Sequence, residues 1–272
     1  MPELPEVETI CKGIIPYCEG KVVRKLISRC NSLRWPIPEN LSHLLSDQIL
    51  NKITRRGKYL LLHFNHGTLL LHLGMSGYLR LLREDTPLLK HDHLDIIFND
   101  DTCLRLNDSR RFGAALWTPD HERHPLLCDL GPEPLSSAFS AAYIEKRAKG
   151  RAVPVKTFIM NSRVVVGVGN IYANEALFKA GIHPLTPAGR LKASQWRELL
   201  ANIKSVLNLA IASGGTTLRD FRDGHGKPGY FQQKLTVYGR AGEACRVCKT
   251  KLEEIRLGQR TTVFCPKCQK EG

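Results

Sequence analysis

The spacing of apolar positions changes twice along the 272-residue chain, and the changes divide it. At the start, Val7, Ile10, Cys11, Ile14 and Ile15 recur at helical spacing. Pro5 suits a first helical turn, where its missing N–H costs little, and Gly20 supplies a stop. From about residue 21 to 115 the period shortens to that of strands. Residues 21–29 alternate in part. Residues 59–64 and 68–73 flank Asn65-His66-Gly67, and residues 93–98 and 102–106 flank Asn99-Asp100-Asp101, so two hairpins are predicted. Short strands at this spacing predict an antiparallel sandwich or barrel. Residues 118–136, rich in Pro, His, Asp and Glu, read as a linker or surface loop. Beyond them the period is helical again, over 137–148, 172–180 and about 192–212. In the last helix Trp196, Leu199, Leu200, Ile203, Leu207 and Ala210 form one core-facing stripe, ended by Gly214-Gly215. Residues 222–230 (Arg-Asp-Gly-His-Gly-Lys-Pro-Gly-Tyr) are unsuited to regular structure, and a short cysteine-bearing hairpin closes the chain.

The apolar fraction of 42% is enough for real cores, and no run is long and apolar enough to span a bilayer. Charges throughout the first twenty residues argue against a signal peptide. A formal charge of +14 attracts polyanions, nucleic acid being the commonest; a solvated basic surface and an anionic membrane are the alternatives. Cys11, Cys18, Cys30, Cys103 and Cys128 are scattered and odd in number, which argues for packing residues in a reducing cytosol and against a disulfide framework. The other four cysteines form two Cys-x-x-Cys pairs, Cys245/Cys248 and Cys265/Cys268. Each pair can set two thiolates on one turn, and a hairpin can join the pairs around one tetrahedral zinc; free thiols or a redox pair are the alternatives. Four sulfur ligands leave no position for water, so such a zinc is structural and stabilises a segment too small for its own core. Arg260 lies between the cysteine pairs, placed to reach a phosphate or simply to stay solvated.

The N-terminus itself carries candidate chemistry. A small residue after Met1 permits removal of the methionine, leaving Pro2 as a terminal secondary amine beside Glu3 and Glu6. Such an amine can attack an electrophilic carbon to give an imine-type intermediate. Its pKa of roughly 7.7–8.0 leaves a usable neutral fraction near pH 7. The competing reading is an ordinary helix start whose acidic residues favour the dipole.

Segments spread over the chain resemble the formamidopyrimidine-DNA glycosylases of bacterial base-excision repair. They are Met1-Pro-Glu-Leu-Pro-Glu-Val-Glu-Thr9, Arg56-Gly-Lys58-Tyr59, His72-Leu-Gly-Met75-Ser-Gly77, Lys90-His-Asp-His93, Arg110-Arg-Phe112-Gly113, Val166-Gly-Val-Gly-Asn170-Ile-Tyr172, Gly214-Gly-Thr-Thr217, Gly226-Lys-Pro-Gly-Tyr230 and the four cysteines. The resemblance implies an α+β, multi-domain fold. An N-terminal antiparallel β-sandwich with a leading helix would occupy 2–135. A helical helix–two-turns–helix domain with a lesion-recognition loop would occupy 136–236, and a zinc ribbon 237–272. Double-stranded DNA containing oxidised purines would bind in a basic cleft between sandwich and helices, on a monomer in the bacterial cytosol.

By the same resemblance Pro2 is the nucleophile and Glu3 the acid and base at the sugar. Lys58 contacts the lesion and flanking phosphates, and Arg260 joins this catalytic set. His72, His91 and Asn170 hold the backbone, with Lys227 and Tyr230 of the loop. Met75, Arg110 and Phe112 fill the void left by the flipped nucleotide, while Glu6 and Thr217 belong to the lesion pocket. Bare sequence leaves other roles open: Glu6 as a helix-start carboxylate, His72 as a satisfied strand histidine, Asn170 as a helix cap, Met75 and Phe112 as core. Ser109 departs from the family's usual proline before the arginine pair, which loosens that loop. Asn174 falls at a variable position. The related endonuclease VIII branch, selective for oxidised pyrimidines, and a non-catalytic damaged-DNA-binding protein are the competing readings.

Overall fold

The computed structural model describes residues 2–215 and 235–270. Helix α1 (Leu4–Cys18) begins as the periodicity predicts, with Pro5 in its first turn. Its inner face buries Val7, Ile10, Cys11, Ile14 and Cys18, and each isoleucine contributes about 1.5–3 kcal/mol by leaving water. Eight strands follow: β1 (Val23–Ser28), β2 (Lys52–Arg56), β3 (Tyr59–Phe64), β4 (Gly67–His72), β5 (Tyr78–Arg83), β6 (Asp92–Phe98), β7 (Thr102–Asn107) and β8 (Ala114–Thr118), with the short helix α2 (Leu41–Leu45) after β1. They form two four-stranded antiparallel sheets, in the orders β1-β6-β7-β5 and β2-β3-β4-β8. Leu26, Leu79, Leu94 and Leu104 of the first sheet share one core with Leu60, Leu62, Leu69 and Leu71 of the second and with α1. The β3–β4 hairpin closes with Phe64 opposite Gly67, leaving Asn65 and His66 as the turn. Leu61 and Leu70 are buried as well, so these strands read as leucine runs without alternation.

The described residues divide into two compact units. The sandwich unit runs to Cys128 and takes in residues 213–215. The second unit starts at Asp129 and holds α3 (Ala141–Ala148), α4 (Val155–Ile159), α5 (Asn170–Lys179), α6 (Ala193–Ala212), β9 (Glu253–Leu257) and β10 (Arg260–Phe264). Helices α4 and α5 flank the turns of residues 160–169 and give the helix–two-turns–helix element. Trp196, Leu199, Leu200, Ile203, Leu207 and Ala210 of α6 are all buried. The first helix after the linker starts four residues later than its pattern predicts, at Ala141, because the Ser140 side chain accepts from the Tyr143 N–H and fixes the start there. Helix α5 starts earlier, at Asn170, capped by Gly169 in an extended conformation. No helix among the described residues is long and apolar enough to cross a membrane.

Candidate active site

Pro2 and Glu3 are buried at the head of α1. The Glu3 N–H donates to Glu6 Oε2 at 2.8 Å, so Glu6 fixes the residue next to the candidate nucleophile. Glu6 is itself 1% exposed and packs against Gly215, where an added Cβ would lie 3.1 Å from Glu6 Oε1. Two residues on, Glu8 Oε2 accepts from Arg55 Nε at 2.7 Å, and Arg55 also donates to the Gly57 carbonyl at 2.9 Å. Burial opposes ionisation of Glu8, but the Arg55 hydrogen bond and charge hold its carboxyl below the usual range. These bonds tie the head of α1 to the two-residue turn that carries Lys58, which lies between the paired residues Arg56 and Tyr59.

Tyr59 pairs across the ladder with His72, and their rings lie 4.8 Å apart. Burial, with the positive charges of Lys58 and Arg34, lowers the His72 pKa to about 4, so the imidazole is neutral near pH 7. Its Nδ1 accepts from the Gly74 N–H at 3.1 Å, which leaves Nε2 to carry the proton and donate.

Met75 and Phe112 are exposed, 40% and 43%, on loops rather than in the core. The Arg110 guanidinium stacks over the Phe112 ring at 4.7 Å. The two loops meet backbone to backbone: a Cβ at Gly74 would come within 2.4 Å of the Phe112 carbonyl carbon. His91 has a positive φ of 73°, in a loop held by Arg105 bonding the Thr86 and Pro87 carbonyls and Asn107 bonding the Lys90 carbonyl. Arg105 is buried with Asp95, which it binds through two nitrogens at 2.8 and 2.9 Å.

In the second unit, Asn170 opens α5 and is not its cap. Its side chain donates to the Thr261 carbonyl at 3.0 Å, next to the exposed Arg260. Three residues to which the sequence assigned no part in the site tie the ribbon down: two hold this junction and the third holds the chain entering the ribbon. Lys156, 1% exposed, donates to Thr262 Oγ1 at 2.6 Å and to the Thr261 carbonyl at 3.2 Å. Asn174 accepts from the Val263 N–H at 2.9 Å and donates to the Asn170 carbonyl at 2.6 Å. Glu175, buried on the same helix, accepts from the N–H groups of Thr236, Val237 and Tyr238. A pair of amide side chains one helical turn apart was the available signal for the middle one. Thr217, Lys227 and Tyr230 lie outside the described residues.

The sulfurs of Cys245, Cys248, Cys265 and Cys268 all lie within 4.8 Å of one another, with closest approaches of 3.4 and 4.0 Å. A tetrahedron with Zn–S bonds near 2.3 Å has edges of about 3.8 Å, so the four thiols fit one zinc. The backbone turns tightly after the first pair, where Lys249 takes φ 65° and bonds back to the Cys245 carbonyl. The ribbon packs on α5 through Phe178, Val237, Leu252 and Val263, and Gln269 bonds both the Cys265 N–H and the Ile182 carbonyl. One structural zinc belongs here. The remaining thiols of the core are inert: burial pushes Cys11 and Cys103 up to about 11 and Cys18 up to about 12.

Residues 1–115 match the formamidopyrimidine-DNA glycosylase N-terminal domain family, 130–222 the formamidopyrimidine-DNA glycosylase H2TH domain, and 242–270 a zinc finger found in FPG and IleRS. A formamidopyrimidine-DNA glycosylase of Colwellia psychrerythraea is 56% identical over 272 residues, covering all of both chains. Among solved structures, the Lactococcus lactis FPG mutant G226P in complex with a Fapy-dG containing DNA superposes with a TM-score of 0.92 at 32% identity, covering 99% of this chain and 100% of that one. A MutM in complex with carbocyclic 8-oxo-G containing DNA gives 0.91 at 33%, over the same shares. Identity over the full length, together with the sandwich, the helix–two-turns–helix element and the four-cysteine ribbon, makes this chain a member of the formamidopyrimidine-DNA glycosylase family.

Proposed function

We propose that the chain is a bifunctional DNA glycosylase and abasic-site lyase that removes oxidised purines, 8-oxoguanine and formamidopyrimidines, from duplex DNA in base-excision repair. The observation that carries this reading is the N-terminal arrangement: a buried Pro2-Glu3 pair, fixed by Glu6 and tied through Glu8 and Arg55 to the Lys58 turn. The DNA lesions bound by the similar FPG and MutM structures support the same substrate class.

A base inside the stack is out of reach, so the nucleotide must be flipped out first. Pro2, free of Met1, attacks C1′ with its nitrogen lone pair, and the C1′–N bond to the base breaks with its electrons leaving on the base. Glu3 takes the proton that the attacking nitrogen releases and gives it to O4′; the sugar ring opens, an iminium links Pro2 to C1′, and the departed base takes a proton from water. A secondary amine forms this cation without needing a further proton. The cation acidifies C2′–H; loss of that proton expels the 3′ phosphate, and a second elimination expels the 5′ phosphate. Lys58, neutral His72 donating through Nε2, His91, Asn170 and Arg260 hold phosphates, which supply register and affinity. Met75, Arg110 and Phe112 occupy the void, with Arg110 offering its guanidinium to the orphaned cytosine. Lys227 and Tyr230 close the loop over the lesion, with Glu6 and Thr217 in its pocket. Residues 2–135 carry the chemistry, 136–236 the backbone grip and lesion loop, and 237–272 the zinc-held contact. The enzyme works as a monomer in the bacterial cytosol, where its scattered thiols stay reduced.

Single-turnover excision tests this reading on duplexes carrying either 8-oxoguanine opposite cytosine or an oxidised pyrimidine. Faster excision of the purine, with phosphates at both ends of the gap, is expected. Preference for the pyrimidine would overturn the oxidised-purine reading and give the chain the substrate choice of the endonuclease VIII branch. Binding without excision of either would make it a damage-binding protein.

A further inference from the structure

Asp108, immediately after β7, is 0% exposed and has no part in the chemistry above. Its carboxylate accepts three hydrogen bonds from two loops. Oδ1 takes the Ser76 hydroxyl at 2.8 Å and the Arg110 N–H at 3.3 Å; Oδ2 takes the Gly113 N–H at 2.7 Å. Ser76 Oγ also accepts from the Arg110 N–H at 3.2 Å, closing the link. The Asp108 main chain reaches further: its N–H donates to the carbonyl of His91, in a third loop, at 3.1 Å, and its carbonyl lies 3.0 Å from Nε2 of His93, in β6. The same carbonyl accepts from the Arg111 N–H, and Arg111 holds φ 56°, a left-handed conformation that a non-glycine residue keeps only when its surroundings impose it. With Ser109 in place of proline, the ring constraint on φ is missing, and the hydrogen bonds must hold the turn.

We propose that Asp108 is a positioning residue that fuses the Met75 loop and the Arg110–Phe112 loop into one preformed wedge, so that the side chains filling the void enter the duplex together. The inference rests on the wedge reading of those three residues. An irregular loop left free would pay its ordering entropy during extrusion of the nucleotide; a loop already ordered in the free protein does not. A carboxylate suits the junction because every partner is a donor. An asparagine would turn an NH2 toward a hydroxyl or an N–H and leave a buried donor without an acceptor.

The test compares two substrates. Excision of 8-oxoguanine from duplex DNA needs the void filled, whereas strand cleavage at a preformed abasic site in single-stranded DNA leaves no void. Asp108→Asn should lower single-turnover duplex excision about 10–100-fold, the scale of an ångström misplacement. Cleavage of the single-stranded abasic site should stay within about twofold, since the wedge is not used there. Ser76→Ala, a half-buried change that spares the fold, should shift the same ratio in the same direction by a smaller factor. Because Ser76 acts through Asp108, the double variant should be no worse than Asp108→Asn alone. Equal losses on both substrates would reduce Asp108 to a structural residue, and unchanged duplex excision in Ser76→Ala and Asp108→Asn would remove the coupling. Unchanged duplex excision in Met75→Ala and Phe112→Ala would sink the wedge reading and this proposal with it, while leaving Pro2 chemistry intact.

Discussion

The zinc ribbon and the paired loops around Asp108 are both short irregular stretches with little core of their own, yet they are held by opposite means. In the ribbon, four sulfurs converge on one point and a few apolar residues dock the hairpin on α5. In the loops, one buried carboxylate gathers a hydroxyl and two main-chain N–H groups, and two backbones touch at Gly74. A metal concentrates its constraint in side chains at fixed spacing. A hydrogen-bonded junction spreads its constraint over residues far apart in the chain. The first can be removed whole; the second can be weakened one bond at a time.

The largest effect expected is therefore metal removal. Chelation, or Cys265→Ser, should unfold the ribbon, seen as loss of hydrogen-exchange protection over residues 242–270. DNA affinity should fall roughly 10–100-fold as Arg260 and its basic neighbours lose their places. Affinity and protection unchanged in chelator would remove the metal from this comparison. Next is Gly74→Ala. Gly74 has φ 61° and no room for a Cβ, so strain of about 1–3 kcal/mol is expected, with a drop in duplex excision. Gly258, in the ribbon turn, has φ 55° but open space around it, and Gly258→Ala should cost only about 1 kcal/mol. Equal losses of melting temperature would mean that the close approach of the two loops carries no weight. Arg55→Met unties α1 from the Lys58 turn; at a partly exposed pair it should cost about 1 kcal/mol, with a loss of kcat larger than that stability change suggests.

The smallest effect concerns pH. The folded His72 has a pKa lowered to about 4 against 6.5 when unfolded, so between these values the unfolded chain binds the extra proton. Its contribution to stability is full above pH 6.5 and declines as pH falls toward 4. A His72→Gln variant should show a shallower fall in melting temperature over that window; identical slopes would contradict the neutral, buried imidazole.

The same contrast explains what the sequence made legible. Two Cys-x-x-Cys pairs announce the ribbon because metal geometry depends on spacing alone. The stripe of α6 and the β3–β4 hairpin were equally readable, since periodicity and turn chemistry are local. Individual strands β2, β5 and β8 were not delineated, because their burial patterns follow neighbours supplied by distant strands. The proposed nucleophile and the proposed wedge residues stood out through family motifs. Asp108 did not, although an aspartate before a Ser-Arg-Arg turn is an Asx-turn signal, because its importance lies in Ser76, distant along the chain. Lys156 reads as one of forty basic residues until Thr261 and Thr262 are seen to meet it.

Borohydride trapping tests the central claim, that Pro2 is the nucleophile, most directly. The protein is incubated with duplex DNA carrying 8-oxoguanine opposite cytosine, reduced, and the adduct mapped by peptide mass. The account predicts a covalent adduct on the N-terminal peptide at Pro2, strongly reduced in Pro2→Gly, with strand cleavage in the untrapped reaction. An adduct on a lysine such as Lys58, or lesion excision with no trappable adduct, would contradict it.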